Sequence, residues 1–341
     1  MTLFNYNQLD FVIRASGRRT KFDQILSDLW TKAHDTGKFR YKLPQDKISR
    51  VLDDISFKPV ILVLPERFKL RRRPTEVLSL NDPPTGFHFT NIAPEEILLN
   101  LNSTNGNSAT KDESLLLIAN ISPFTPLHCL LVPEPQACFN QRIRKPALRA
   151  AVECFLLSDN QYLCMGFNSL LAHASVNHLH FHLWQAPEPL YAMVEDTRTK
   201  PNLPAYSELP EHPVHNFTLE LSTVDGIGQF IDSIWRVIEA CHSGEIAHNL
   251  FLARVLNHKS NHGLLRAVLW PRRSVYIPKT VGSEDKIGTG YNVAVAELAG
   301  MFVVASHEVA ADMCQATVLR ALTAERVSEE VIKSLETKLL D

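Results

Sequence analysis

The sequence predicts an α+β fold of antiparallel sheets with packed helices, and three observations lead there. Apolar runs of strand length come in consecutive pairs: Leu115–Ala119 with 128–133, then 162–167 with a strand through 175–184. A single helix, marked by Leu148, Ala151, Val152, Phe155 and Leu156, separates the two pairs. Strand-strand-helix-strand-strand suits antiparallel pairing, whereas a doubly wound parallel sheet needs strand and helix to alternate. After residue 215 the coarse plan returns in other residues, so the architecture is expected to be duplicated, with a degenerate second copy.

Phe22, Ile25, Leu26, Leu29, Trp30 and Ala33 fall on one helical stripe. Thr20 and Asp23 have capping-box spacing before it, and Gly37 offers a stop. The apolar run 60–64 reads as a strand that leads into a basic stretch holding Arg67, Lys69, Arg71, Arg72 and Arg73. Residues 102–112 are polar and read as loop. Prolines at 187, 189, 201, 204, 210 and 213 resist regular structure and suggest a connecting segment. Beyond it, Ile227, Phe230, Ile231, Ile234, Trp235 and Ile238 mark a second helix that closes near Gly244. Strands are expected at 247–254, 264–270 and 293–298, and a last helix at 328–339. The chain thus divides into a catalytic half (1–185), a proline-rich connection (186–215) and a degenerate half (216–341).

Hydrophobic residues make up 45% and charged residues 21% of 341, an ordinary globular balance that supports a substantial core. A net charge of -2 argues against a nucleic-acid partner, which needs a basic footprint. No run approaches the roughly 18 apolar residues of a membrane span, and residues 1–20 lack the apolar centre of a secretion signal. Six cysteines, with no C-x-x-C pair, read as buried free thiols. A soluble cytoplasmic protein is the expectation.

The most informative residues are His178, His180 and His182, alternating with Leu179 and Phe181. On an extended strand the three rings share one face, and Leu179, Phe181 and Leu183 anchor the other. Neutral imidazole, with an unperturbed pKa of roughly 6.5, is nucleophilic near neutral pH. Three readings follow. The row could simply meet solvent. It could hold zinc, although same-face neighbours stand roughly 7 Å apart at about 3.3 Å rise per residue, which stretches a three-His site. Or the middle ring could attack phosphorus while its neighbours hold the phosphoryl oxygens. In that case its far nitrogen would donate to a carbonyl, leaving the near lone pair free.

With Leu183 and Trp184 the run fits a His-φ-His-φ-His-φ-φ pattern, and it stands among further ordered segments. These include Arg71-Arg72-Arg73-Pro74, Phe87-His88-Phe89-Thr90, Asn120-Ile121-Ser122-Pro123 running to His128, Gly166-Phe167-Asn168-Ser169, and His248-Asn249-Leu250-Phe251. On these the chain resembles the histidine triad superfamily of nucleotide hydrolases and transferases. Within it, the likeness is to the GDP-D-glucose phosphorylases and their plant relatives, the GDP-L-galactose phosphorylases. Leu171 stands where that family has glycine, and His182 where the plant branch tends to have glutamine.

The resemblance implies an enzyme that converts GDP-glucose and inorganic phosphate to GDP and glucose 1-phosphate through a guanylylated His180. It needs no cofactor and no metal. His178 and His182 would flank the reacting phosphoryl group, with Asn177 and Asn168 as amide donors beside them. By the fork geometry of their donors, Arg73, Arg71 and Arg72 are candidates to meet incoming phosphate, the alternative being a solvated basic run or a localisation signal. Arg272, Arg273 and Lys279 pose the same question from the second half, and His128 is either structural or part of the site. A homodimer is left open. The alternatives are a triad hydrolase that releases GMP to water, a phosphorylase of another GDP-hexose, and a non-catalytic regulator that binds guanine nucleotides.

Overall fold

The computed structural model describes residues 2–44, 49–52, 57–72, 77–84, 86–104, 114–257, 262–276 and 290–340. In chain order its strands begin with β1 (Thr2–Tyr6), β2 (Ser49–Val51), β3 (Val60–Val63), β4 (Ile97–Ser103), β5 (Leu115–Ala119), β6 (Cys129–Pro133) and β7 (Leu163–Asn168). They continue with β8 (Phe181–Gln185), β9 (Arg198–Lys200), β10 (Leu203–Glu208), β11 (Phe217–Leu221), β12 (Ala247–Arg254), β13 (Leu265–Arg272) and β14 (Met301–Val304). The helices are α1 (Lys21–Asp35), α2 (Pro65–Leu70), α3 (Lys145–Leu156), α4 (Tyr191–Val194), α5 (Ile227–Ser243), α6 (Val295–Ala299), α7 (His307–Asp312), α8 (Gln315–Thr323) and α9 (Glu329–Leu340).

Among the described residues one sheet holds eleven strands in the order β1-β4-β5-β6-β8-β7-β12-β13-β11-β10-β9. Its pairs are antiparallel except β1 with β4. From the central β7·β12 seam the order runs 7-8-6-5-4 one way and 12-13-11-10-9 the other. Each arm contains a helix crossover, α3 between β6 and β7, and α5 between β11 and β12. A second sheet, β14-β3-β2, joins the two ends of the sequence.

The period-2 pattern of the strands separates two apolar layers. Leu117 and Leu131 face one side with Leu99, Phe181 and Leu183, where they pack under Leu148, Phe155, Ile231 and Ile234 of α3 and α5. Ile118 and Leu130 face the other side with Phe89 and Val176. Burying one such leucine or isoleucine is worth about 1.5–3 kcal/mol, so the alternation fixes which face each strand shows. α1 starts where expected: Thr20 Oγ1 accepts the Asp23 N–H at 3.1 Å and Asp23 Oδ2 accepts the Thr20 N–H at 3.0 Å.

Four expectations change. The 293–298 run is a helix start: the Glu297 carboxylate accepts the Ala294 N–H at 2.9 Å, and Gly300, at φ +109°, ends the turn before β14. The proline-punctuated segment contains α4, β9 and β10, and so joins the sheet edge. The triad strand begins at Phe181, leaving His178 and His180 in irregular backbone ahead of it. Asn102 and Ser103 belong to β4, which pairs with β5. The rest of the expected loop from 105 onward, together with Arg73 and Lys279, lies outside the described residues. Cys129, Cys154, Cys164 and Cys241 are buried free thiols, while Cys314 is exposed. No described helix is long and apolar enough to cross a membrane.

Candidate active site

The triad sits on the sheet face away from α3 and α5, where β8 lies between β6 and β7. His182 is opposite Leu130 on one side and Gly166 on the other. Gly166 is required there: a Cβ would come within 2.6 Å of Val295 Cγ1 and 3.0 Å of the Trp184 ring. Ahead of the strand the backbone finds other partners. The Leu179 N–H donates to Phe139 O at 2.8 Å. Gln141 takes the place of a neighbouring strand: its Oε1 accepts the His180 N–H at 2.9 Å, and its Nε2 donates to His180 O and Asn168 O, each at 3.0 Å. Nothing in the sequence marked Gln141, because its role depends on a loop meeting the strand end.

The protons on the imidazoles follow from their partners. His180 Nδ1 lies 2.7 Å from His178 O. A carbonyl only accepts, so Nδ1 carries the hydrogen and the Nε2 lone pair is free. His128 Nδ1 accepts the Phe124 N–H at 3.2 Å, so its own hydrogen is on Nε2, 3.2 Å from His182 Nδ1. Asn120 Nδ2 also lies 3.0 Å from this Nε2, while Asn120 Oδ1 accepts the Ser122 N–H at 2.9 Å. The acceptor is His182 Nδ1, which leaves His182 with a hydrogen on Nε2 for a ligand. His178 Nδ1 accepts the Phe89 N–H at 3.1 Å, placing its hydrogen on Nε2, which has no partner among the described residues.

Burial governs how these groups titrate. It lowers His180 to about 4, opposed by the bond to His178 O, and lowers His178 to about 4, helped by His180 and His88. It holds His128 and His182 well below the ordinary imidazole range, with neighbouring His and Arg67 charges adding to the effect. All four are therefore neutral at pH 7.

Two clefts meet at His182. The first, the more polar of the two, sets Arg67, Arg71, Asn168, Ser175, Asn292 and Glu297 against Phe68, Phe124 and Trp184. The second has apolar walls from Phe87, Ile92, Ile118, Leu130 and Val176, with Arg40, Arg72, Glu96 and Asn120 also on its lining, and His180 among the residues that face it. Arg67 and Arg71 line both. Arg67 is on α2 and Arg71 caps its C-terminal end, and the run-in to α2 from β3 is paired to β14. Arg67 donates to Ser122 O and lies 5.2 Å from the Phe124 ring centre. Burial and Arg67 draw Arg71 down to about 10, so it stays charged at neutral pH. Burial also raises Glu297 to about 7, opposed by N–H groups of Ala294 and Val303 and by the Arg67 charge.

The other expected residues divide. Asn168 lines the polar cleft, and its Oδ1 accepts the Asn249 amide at 2.7 Å and the Val295 N–H at 3.0 Å. Asn177 lines neither cleft and uses both ends of its amide within the fold: Oδ1 accepts the Gln141 N–H at 2.9 Å, and Nδ2 donates to Asp82 O and Pro83 O at 3.0 and 2.8 Å. Arg272 is buried against Glu325, and Arg273 donates to Ala324 O at 3.0 Å, away from both clefts. Arg67 was visible only as part of a basic run. Its i,i+4 spacing from Arg71 was the signal available.

His88, Cys138 and His178 bring ligand-type atoms within 4.8 Å of one another. His178 offers no lone pair to an ion there, because Nδ1 accepts the Phe89 N–H and Nε2 carries the hydrogen. The donor set does not suit a metal in this arrangement.

Comparison with known proteins shows what the chain is similar to. Residues 21–184 match the family model described as GDPGP1-like, N-terminal domain. The chain is 30% identical to GDP-D-glucose phosphorylase 1 of Danio rerio, over 98% of this chain and 99% of that protein. It is 25% identical to GDP-L-galactose phosphorylase 2 of Arabidopsis thaliana, over 94% of this chain and 76% of that one. In fold it resembles the yeast Ap4A phosphorylase Apa2 solved with Ap4A, with a TM-score of 0.61 at 15% identity, covering 91% of this chain and 99% of that structure.

Proposed function

The chain belongs to the GDP-D-glucose phosphorylase family, and we propose that it cleaves GDP-glucose with inorganic phosphate to give GDP and glucose 1-phosphate. The observation that carries this reading is the bond from His180 Nδ1 to His178 O at 2.7 Å, which leaves the Nε2 lone pair free on a ring that lines the second cleft.

In the first step Nε2 attacks the α-phosphorus, the P–O bond to the β-phosphate breaks, and glucose 1-phosphate leaves with both electrons. The guanylyl group remains on Nε2, and the Nδ1–H bond to His178 O stabilises the positive ring that forms. In the second step an oxygen of inorganic phosphate attacks the same phosphorus, the P–N bond breaks, and GDP forms with neutral imidazole restored. A sugar phosphate leaves readily without a strong acid, so positioning and charge stabilisation dominate. His182 Nε2–H, Arg67 and Arg71 supply donors to the phosphoryl oxygens. His178 acts through its carbonyl.

The apolar cleft suits the nucleoside, and the polar cleft suits the hexose and then phosphate. We read the mirrored strand order about β7·β12 as two copies of one unit. β13 corresponds to the triad strand, and the corresponding end is filled by Arg266, which bonds Ala192 O at 3.0 Å and Glu220 at 2.7 Å. On that reading a single chain supplies both halves of the architecture.

The test is to supply GDP-glucose with and without phosphate and identify the products. GDP and glucose 1-phosphate that form only with phosphate support the proposal. Equal release of GMP in its absence contradicts it and makes the chain a hydrolase.

A further inference from the structure

The register across the sheet ties the triad to an acidic residue that has no assigned role. Ile97 of β4, Ile118 of β5, Leu130 of β6 and His182 of β8 form one lateral row. Three strand spacings, roughly 14 Å, separate its ends. That span is comparable to the distance from the 5′-phosphate to the far edge of the base in an extended purine nucleotide. The floor between is apolar, with Ile118 and Leu130 buried. Immediately before Ile97 stands Glu96, the only carboxylate lining this cleft among the described residues. Arg72 is close enough to Glu96 to feel its charge, and its guanidinium carbon lies 3.2 Å from the centre of the Phe87 ring.

The geometry points to Glu96 as the residue that selects guanine. This rests on the proposed reading of the apolar cleft as the nucleoside site. Guanine presents two donors on one edge, N1–H and the N2 amino group, and acceptors at O6 and N7 on another. An ionised carboxylate only accepts and can take both donors, while a guanidinium fork matches O6 and N7. Adenine would turn an N1 lone pair toward the same carboxylate and be repelled. Hypoxanthine keeps N1–H but lacks the amino group. One carboxylate oxygen also accepts the Ala93 N–H at 3.2 Å, which holds Glu96 at the start of β4.

Affinities of GMP, IMP and AMP for the full chain and for Glu96→Gln, measured by calorimetry, test this without requiring turnover. The expected order for the parent chain is GMP, then IMP, then AMP. Glutamine keeps one acceptor for Ala93 but offers the base a donor, so the GMP-over-AMP preference should fall about 10- to 100-fold, the worth of a charged hydrogen bond. AMP affinity and the melting temperature should be retained, which shows that the cleft is intact. An unchanged GMP:IMP:AMP ratio in Glu96→Gln overturns the assignment of Glu96 alone. A parent chain that binds none of the three overturns the nucleoside reading of the cleft as well.

Discussion

Four neutral imidazoles crowd one site, yet each carries its hydrogen where its neighbour dictates. His180 is fixed by a carbonyl, His128 and His178 by backbone N–H groups, and His182 by His128. On the proposed mechanism His128 is a positioning residue: it lines neither cleft but sets which nitrogen of His182 can donate. Replacing it with a side chain that cannot donate should let His182 take the other tautomer. His128→Ala is expected to lower kcat about 10- to 100-fold with little change in KM for GDP-glucose, while His128→Asn, which can still donate, recovers part of the loss. Steady-state kinetics on both variants checks this, and a loss confined to KM contradicts it. Leu171 shows a residue-level cost that the sequence announced. Its φ of +59° is a conformation in which glycine rests easily, and this is where the resemblance leads us to expect glycine.

At the scale of elements, the site is made where irregular backbone meets regular strand. Hydrophobic period gave the helices and most strands, because α1, α3, α5 and β12 bury continuous apolar faces that the pattern states directly. It failed at 293–298, where an apolar run alone cannot distinguish strand from helix and the deciding contact is the Glu297 carboxylate on the Ala294 N–H. The triad was legible, since three alternating histidines are rare in any segment. Gln141, Arg67 and Glu297 were not, because each acts only after distant segments come together. Gly166 is where this packing is tightest. Gly166→Ala should destabilise by about 1–3 kcal/mol, read from chemical denaturation, since Val295 and Trp184 must give way on the helix and strand that frame His182. A variant of unchanged stability would mean that α6 is free to shift.

Across the whole molecule, the neutral buried histidines link stability to pH. His128, His178, His180, His182, His212, His242 and His248 all have folded-state pKa values below the ordinary value. On acidification the unfolded chain takes up protons first, from about 6.5, so the folded state loses ground until its own histidines protonate, which for His178, His180, His212 and His248 is at about 4. Each group costs about 1.4 kcal/mol per pH unit in that window. Glu297, raised to about 7, works in the opposite sense, its contribution fading as pH rises to that value, but it is one group against seven. Stability should be full above about pH 6.5 and fall steeply toward pH 4. Thermal melts at pH 7.5 and 5.0 check this, and equal melting temperatures at the two values contradict it.

The central claim is a bond between His180 Nε2 and the nucleotide's α-phosphorus, and intact-protein mass spectrometry reads it most directly. After brief exposure to GDP-glucose without phosphate, the chain should gain the mass of one guanylyl group. That group should be lost on mild acid or on addition of phosphate, and never appear in His180→Asn. A parent chain that turns over GDP-glucose without such an adduct, or an adduct of equal yield in His180→Asn, would contradict the account.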